Sequence, residues 1–136
     1  MIVRLACLLI CALAFVGCAG APAPEISLRI SEKALVDLDK VDILIGAVGG
    51  GNAASCDAYL SKTTVFSADK FTAEKTQAIA LGSATKQEVV LSDLQPGEKL
   101  FVIAGYQKGN LVMLGCDKGT IEDGKKLMLS IAMLAY

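Results

Sequence analysis

Cys56 and Cys116 are the only cysteines of this chain beyond its first eighteen residues. Two thiols can close a disulfide or lie apart as separately buried side chains, and both readings stay open on spacing alone. The sequence contains no histidine. That removes the commonest general base, the commonest metal ligand and the usual partner of a Ser or Cys nucleophile. Enzymes built on Asp, Glu, Lys or Tyr remain conceivable. The expectation is nevertheless a protein that is not an enzyme and needs no cofactor.

Four other clusters could carry chemistry. Asp37, Asp39 and Asp42 bring three hard oxygen donors close together, as a calcium loop does. An EF-hand would need a longer ligand series with a central Gly and a closing Glu, and these are missing. In an extended segment Asp37 and Asp39 share a face while Asp42 points away. A solvated acidic turn is expected, with calcium binding as the alternative. Gly46-Ala47-Val48-Gly49-Gly50-Gly51 follows an apolar stretch, as phosphate loops do. Its spacing is not G-x-G-x-x-G and no Lys-Ser/Thr follows, so a flexible loop is expected. Ser55 and Lys62 lie too far apart for the S-x-x-K pair of penicillin-binding enzymes. Glu122-Asp123-Gly124-Lys125-Lys126 reads as a solvated hairpin tip.

Short β-type segments have to position these residues. Glu25 to Ile30 alternates polar and apolar residues, and Val41 to Val48 is a stronger strand that Gly49 to Asn52 breaks. Residues 32–39 are ambiguous, Thr63 to Phe66 is a weaker strand, and 70–76 reads as a loop or short helix. Further strands are expected at Gln77 to Leu81, Gln87 to Leu91, Leu100 to Tyr106, Leu111 to Cys116 and Leu127 to Leu134. No stretch sustains a helical period. Strands about ten residues apart, punctuated by Gly, Pro, Asn and Asp, predict an all-β protein with a single antiparallel β-sandwich.

The first residues set the address. Arg4 supplies a basic start, and the apolar run from Leu5 to Val16 is too short to cross a bilayer permanently. It fits the apolar core of a secretory signal. Phe15-Val16-Gly17-Cys18 resembles the lipobox of bacterial lipoproteins, although Phe15 stands where Leu is usual. Cys11 and Cys7 lack that context. The resemblance implies diacylglyceryl transfer to the Cys18 thiol and cleavage of the leader before it. Ordinary cleavage after Gly20 or Ala21 and an uncleaved anchor helix are the alternatives.

On the lipoprotein reading, residues 1–17 are the signal peptide. Residues 18–24 are the lipidated cysteine and an Ala/Pro tether, and 25–136 are the sandwich domain. Two prolines favour an extended tether reaching on the order of 20 Å. Ala19 after the cysteine, where an Asp would imply inner-membrane retention, favours the outer membrane. The membrane, through the N-terminal lipid, is then the first partner. Outside the cytoplasm an even pair of cysteines forms one disulfide, Cys56–Cys116. The mature portion has 119 residues and, once Arg4 is lost, 12 basic against 14 acidic side chains, a formal charge of −2. The charges are interspersed, so nucleic-acid binding has no electrostatic footprint.

The last forty residues predict a register. A two-residue turn at Lys108-Gly109 or Gly109-Asn110 puts Phe101, Ile103, Val112, Leu114 and Cys116 on one face. A second turn at Asp123-Gly124 pairs Cys116 with Ile131 and adds Leu127, Leu129 and Met133 to that face. Cys116 is then expected to point into the core and reach Cys56 on another layer. Leu91-Ser92-Asp93-Leu94-Gln95-Pro96-Gly97 and the alternating residues after it resemble fibronectin-type, transthyretin-like and other immunoglobulin-like modules. The resemblance covers about the last 45 residues and implies a fold, not a function. The resulting expectation is a lipid-anchored envelope protein, a non-enzymatic module that binds or scaffolds envelope protein or glycan. A periplasmic module for a small ligand or calcium is the alternative.

Overall fold

The structure is a computed structural model, and it describes residues 24–30, 37–80 and 88–136. Residues 1–23, where the leader, Cys18 and most of the tether are expected, lie outside the described residues. Among the described residues eight strands and one short helix follow in order: β1 (Glu25–Ile30), β2 (Lys40–Ala47), α1 (Cys56–Leu60), β3 (Lys75–Ala80), β4 (Glu88–Leu91), β5 (Gly97–Gln107), β6 (Asn110–Ile121), β7 (Lys126–Ile131) and β8 (Leu134–Ala135).

They form two sheets, β4-β1-β7 and β3-β2-β5-β6-β8. The sandwich is all-β, as expected. The five-stranded sheet is antiparallel throughout, whereas β1 and β7 pair in parallel and make the smaller sheet mixed.

Between the sheets lies the main core. Ile26, Leu28 and Ile30 of β1 meet Val41, Ile43 and Ile45 of β2 and Phe101 and Ile103 of β5. Leu91 and Leu94 close one end of it. Gly97 then starts β5 with φ +127°, a conformation open to Gly and strained for other residues. Such fully buried side chains contribute roughly 1.5–3 kcal/mol each.

β5 differs from an ordinary sandwich strand. It is buried continuously from Lys99 to Gly105, because both of its faces are covered. The sequence mark is the unbroken apolar run Leu100-Phe101-Val102-Ile103-Ala104. A second cluster on the outer face of the large sheet unites Leu44, Leu100, Val102, Ala104 and Leu114 with Tyr59, Phe66 and Phe71. The chain between β2 and β3 folds over that face as a cap.

The expected register fails at one residue. The turn forms at Lys108-Gly109, both with positive φ (51° and 79°) as a two-residue primed turn requires. Gln107 pairs with Asn110 and Tyr106 with Leu111, but Gly105 pairs with Met113. Val112 is therefore the extra residue of a bulge, and every later residue of β6 changes face. Leu114 and Cys116 consequently sit opposite Ala104 and Val102 on the outer face, not beside Phe101 and Ile103.

The second turn also forms, with Lys125 N donating to Glu122 O at 3.2 Å. β7 does not then pair with β6; it crosses to the other sheet beside β1. Leu127, Leu129 and Ile131 still face the core, so their face was legible although their partner was not. The crossing is close because β6 turns glycine toward β7. A Cβ on Gly115 would stand 2.8 Å from Ala132 O, and one on Gly119 2.9 Å from Leu127. Thr63 to Phe66, expected as a weak strand, is irregular chain in the cap after α1.

Candidate functional site

The cap is the feature that departs most from a plain sandwich. Its chain leaves β2 through Gly49, Gly50 and Gly51, all with positive φ, which turns it back over the sheet. The expected flexible glycine loop is thus a tight reversal. Asn52 fastens it: the side chain donates to Ala47 O (3.1 Å) and Thr72 O (2.9 Å) and accepts from Thr72 N (2.7 Å). Thr72 passes so close over Gly46 that a Cβ there would lie 2.3 Å from Thr72 O.

α1 comes next, one and a half turns long and too short to leave a helical period in the sequence. It carries Cys56, which is bridged to Cys116 of β6 across 60 residues, with Cα atoms 5.4 Å apart. The expected pairing is therefore present, and Cys56 does lie on another layer. That layer is the cap rather than the opposing sheet.

Inside the cap, Tyr59, Phe66 and Phe71 pack as an aromatic triangle with ring centroids 5.4–6.3 Å apart. Both tyrosine hydroxyls here accept backbone bonds, Tyr59 from Ala53 N (2.9 Å) and Tyr136 from Phe66 N (2.7 Å). Among the described residues no buried side-chain polar atom lacks a partner.

The acidic trio does not converge. The Asp39 carboxylate accepts the Lys108 backbone N–H at the β5–β6 turn, and Asp42 pairs with Lys40 at 2.9 Å. Asp37 is exposed, and its carbonyl accepts from Gln107 Nε2 at 3.0 Å. Among the described residues no three His, Cys, Asp or Glu side chains are grouped to hold a metal ion. Ser55 and Lys62 flank α1, and Lys62 lies over the ring of Tyr136 instead of beside Ser55.

A buried charge escaped the sequence reading. Lys99 points between the sheets near the end of the sandwich, its side chain 8% exposed, and pairs with Glu74. The other Glu74 oxygen accepts Gln95 N at 2.6 Å, which fastens the loop carrying Leu94. A lysine abutting the apolar run of β5 was the only hint; nothing marked Glu74.

Burial pushes the Glu74 carboxyl up, but the hydrogen bonds from Lys99 and Gln95 and the Lys99 charge outweigh it. The group titrates below its ordinary value of 4.5. A carboxyl with a lowered folded pKa stabilises the protein above its unfolded pKa. That contribution is lost as pH falls below 4.5 and through the folded value. Glu74→Gln is expected to cost about 1–3 kcal/mol at neutral pH, because Lys99 stays buried without its counter-ion. Urea melts at pH 7 and pH 3 test this: the gap between wild type and variant should narrow at the lower pH.

Compared with known proteins, the chain matches no family model, no curated protein and no solved structure. No helix among the described residues is long and apolar enough to cross a membrane.

Proposed function

We propose that this protein is a lipid-anchored, non-enzymatic module of the bacterial cell envelope, which binds or scaffolds an envelope partner. The observation that carries this reading is the Cys56–Cys116 bridge. A closed disulfide belongs to an oxidising compartment, and the apolar leader ending in Gly17-Cys18 supplies the route there. The described chain begins at Pro24, leading directly into β1, so a tether from Cys18 would hold that end of the sandwich near the lipid. One acyl chain binds reversibly, and two or three hold a protein almost permanently. The covered core and the fastened cap make a folded domain for such an anchor to hold.

Mass spectrometry of the membrane-extracted protein tests the anchor. The expected species starts at Cys18, carries acyl chains and has lost two hydrogens at the bridge. Cys18→Ser should leave the membrane fraction and keep the bridge. A full-length chain in the cytosolic fraction with both thiols free would overturn the reading.

A further inference from the structure

The cap is tied to itself more than to the sheet below it. Within residues 53–71 the hydrogen bonds stay inside the segment, as from Ala53 N to Tyr59 Oη, Thr64 N to Ala58 O and Phe71 N to Ser67 O. The aromatic triangle is internal as well. Beyond the reversal at Gly49–Asn52, and among the described residues, two polar contacts reach from this segment to the rest of the molecule. Both go to Tyr136: the hydrogen bond from Phe66 N at 2.7 Å and Lys62 over the ring. No ion pair among the described residues joins the segment to the sheet. Apolar contact and the Cys56–Cys116 bridge therefore supply the rest of the hold.

Both bridged cysteines are half-buried, so the sulfur pair is not sealed from solvent. The core between the sheets lies on the other side of the large sheet and takes no residue from 53–71. The sandwich thus keeps its main core whether the cap is down or lifted. The ends of the segment stay fixed in either case, because Asn52 grips Thr72 from both sides of its peptide.

We propose that the bridge is a thiol-operated latch: its reduction frees the cap to lift as one unit from the outer face of the large sheet, while the sandwich stays folded. The proposal goes beyond the envelope reading and shares with it only the closed bridge. The reductant is a dithiol, such as that of an envelope thiol–disulfide oxidoreductase. One of its thiolates attacks a sulfur of the bridge and expels the other as a thiolate, which takes up a proton. The second thiol of the reductant then displaces the mixed disulfide. Two electrons and two protons end on Cys56 and Cys116, and the dithiol leaves as a disulfide. Lifting uncovers Leu44, Leu100, Val102 and Leu114, so a redox change becomes an exposed apolar face.

Hydrogen–deuterium exchange of the full-length protein in detergent, before and after dithiothreitol without denaturant, tests this. Intact mass reports the gain of two hydrogens. Amides of residues 53–71 should then exchange about 100-fold faster, the order that closing a loop this short is worth. Those of β1, β5 and β7 should keep their protection, and oxidised glutathione should restore slow exchange in the cap. Tyr136→Phe should speed cap exchange about fivefold further in the reduced protein and leave the oxidised protein unchanged. Cys18→Ser should behave as wild type, which separates this test from that of the anchor. A reduced protein whose cap stays protected overturns the proposal. So does one in which β1, β5 and β7 lose protection together with the cap, because the bridge then staples the whole domain. A bridge that dithiothreitol opens only in urea overturns it too.

Discussion

Cys116→Ser is expected to lower the melting temperature by roughly 15–30 °C. The bridge closes a loop spanning 60 residues, which the chain-entropy account values at about 4 kcal/mol. In a domain of about this size each kcal/mol moves the midpoint by roughly 4–8 °C. The energy is large because the bridge acts on the unfolded chain, where it ties α1 to β6 across β3, β4 and β5. It also acts locally, since without it the cap is held over the sheet by Asn52, Tyr59, Tyr136 and the aromatic triangle. Cys56→Ser should give the same shift and the double variant no more, because either substitution already opens the loop. Calorimetry with and without a thiol reductant gives the measurement. A fall of only a few degrees would mean that the unfolded chain is little constrained by the bridge and that the cap opens by itself.

Gly46→Ala is the second large effect, about 3 kcal/mol, at the upper end of the usual range for overpacking. The added methyl would meet Thr72 O at 2.3 Å and Asn52 Nδ2 at 2.8 Å. A flexible side-chain tip could move aside, but Thr72 is backbone and Asn52 grips both of its peptide groups. The strand beneath is no freer, because Leu44 and Ile45 just before the close approach are buried in clusters on opposite faces of the sheet. Relief therefore requires the cap to lift. Asn52→Ala alone is expected to cost about 1–2 kcal/mol for its exposed hydrogen bonds. The double variant should fall short of the sum, since a released Thr72 can retreat from the methyl. Urea midpoints at constant slope supply the numbers. Strict additivity would show that the grip of Asn52 is not what holds Thr72 over Gly46.

Both effects concern the cap, the part that the sequence described least well. α1 is five residues long and carries no period, and the aromatic triangle is spread over residues 59–71 among polar neighbours. The Glu74–Lys99 pair joins positions 25 residues apart, and its value exists only once both are enclosed. Asn52 and Thr72 meet only because Gly46 lets the chain pass over it.

Alternation and turn chemistry were enough by themselves to determine an all-β sandwich, most of its strand positions and both C-terminal turns, and the cysteine count gave the Cys56–Cys116 pairing only together with an oxidising compartment. These are local or combinatorial properties: a strand's inward face is written in every second residue, and two cysteines allow one bridge. Which neighbour each strand takes was decided in three dimensions. One extra residue at Val112 turned Cys116 from the space between the sheets to the face beneath the cap. The turn at Glu122–Lys125 was equally compatible with a hairpin and with a crossing. Glycine on β6 and the open edge of β1 sent β7 across. A bulge costs little locally yet changes the face of everything after it, so only the packing of both layers could choose.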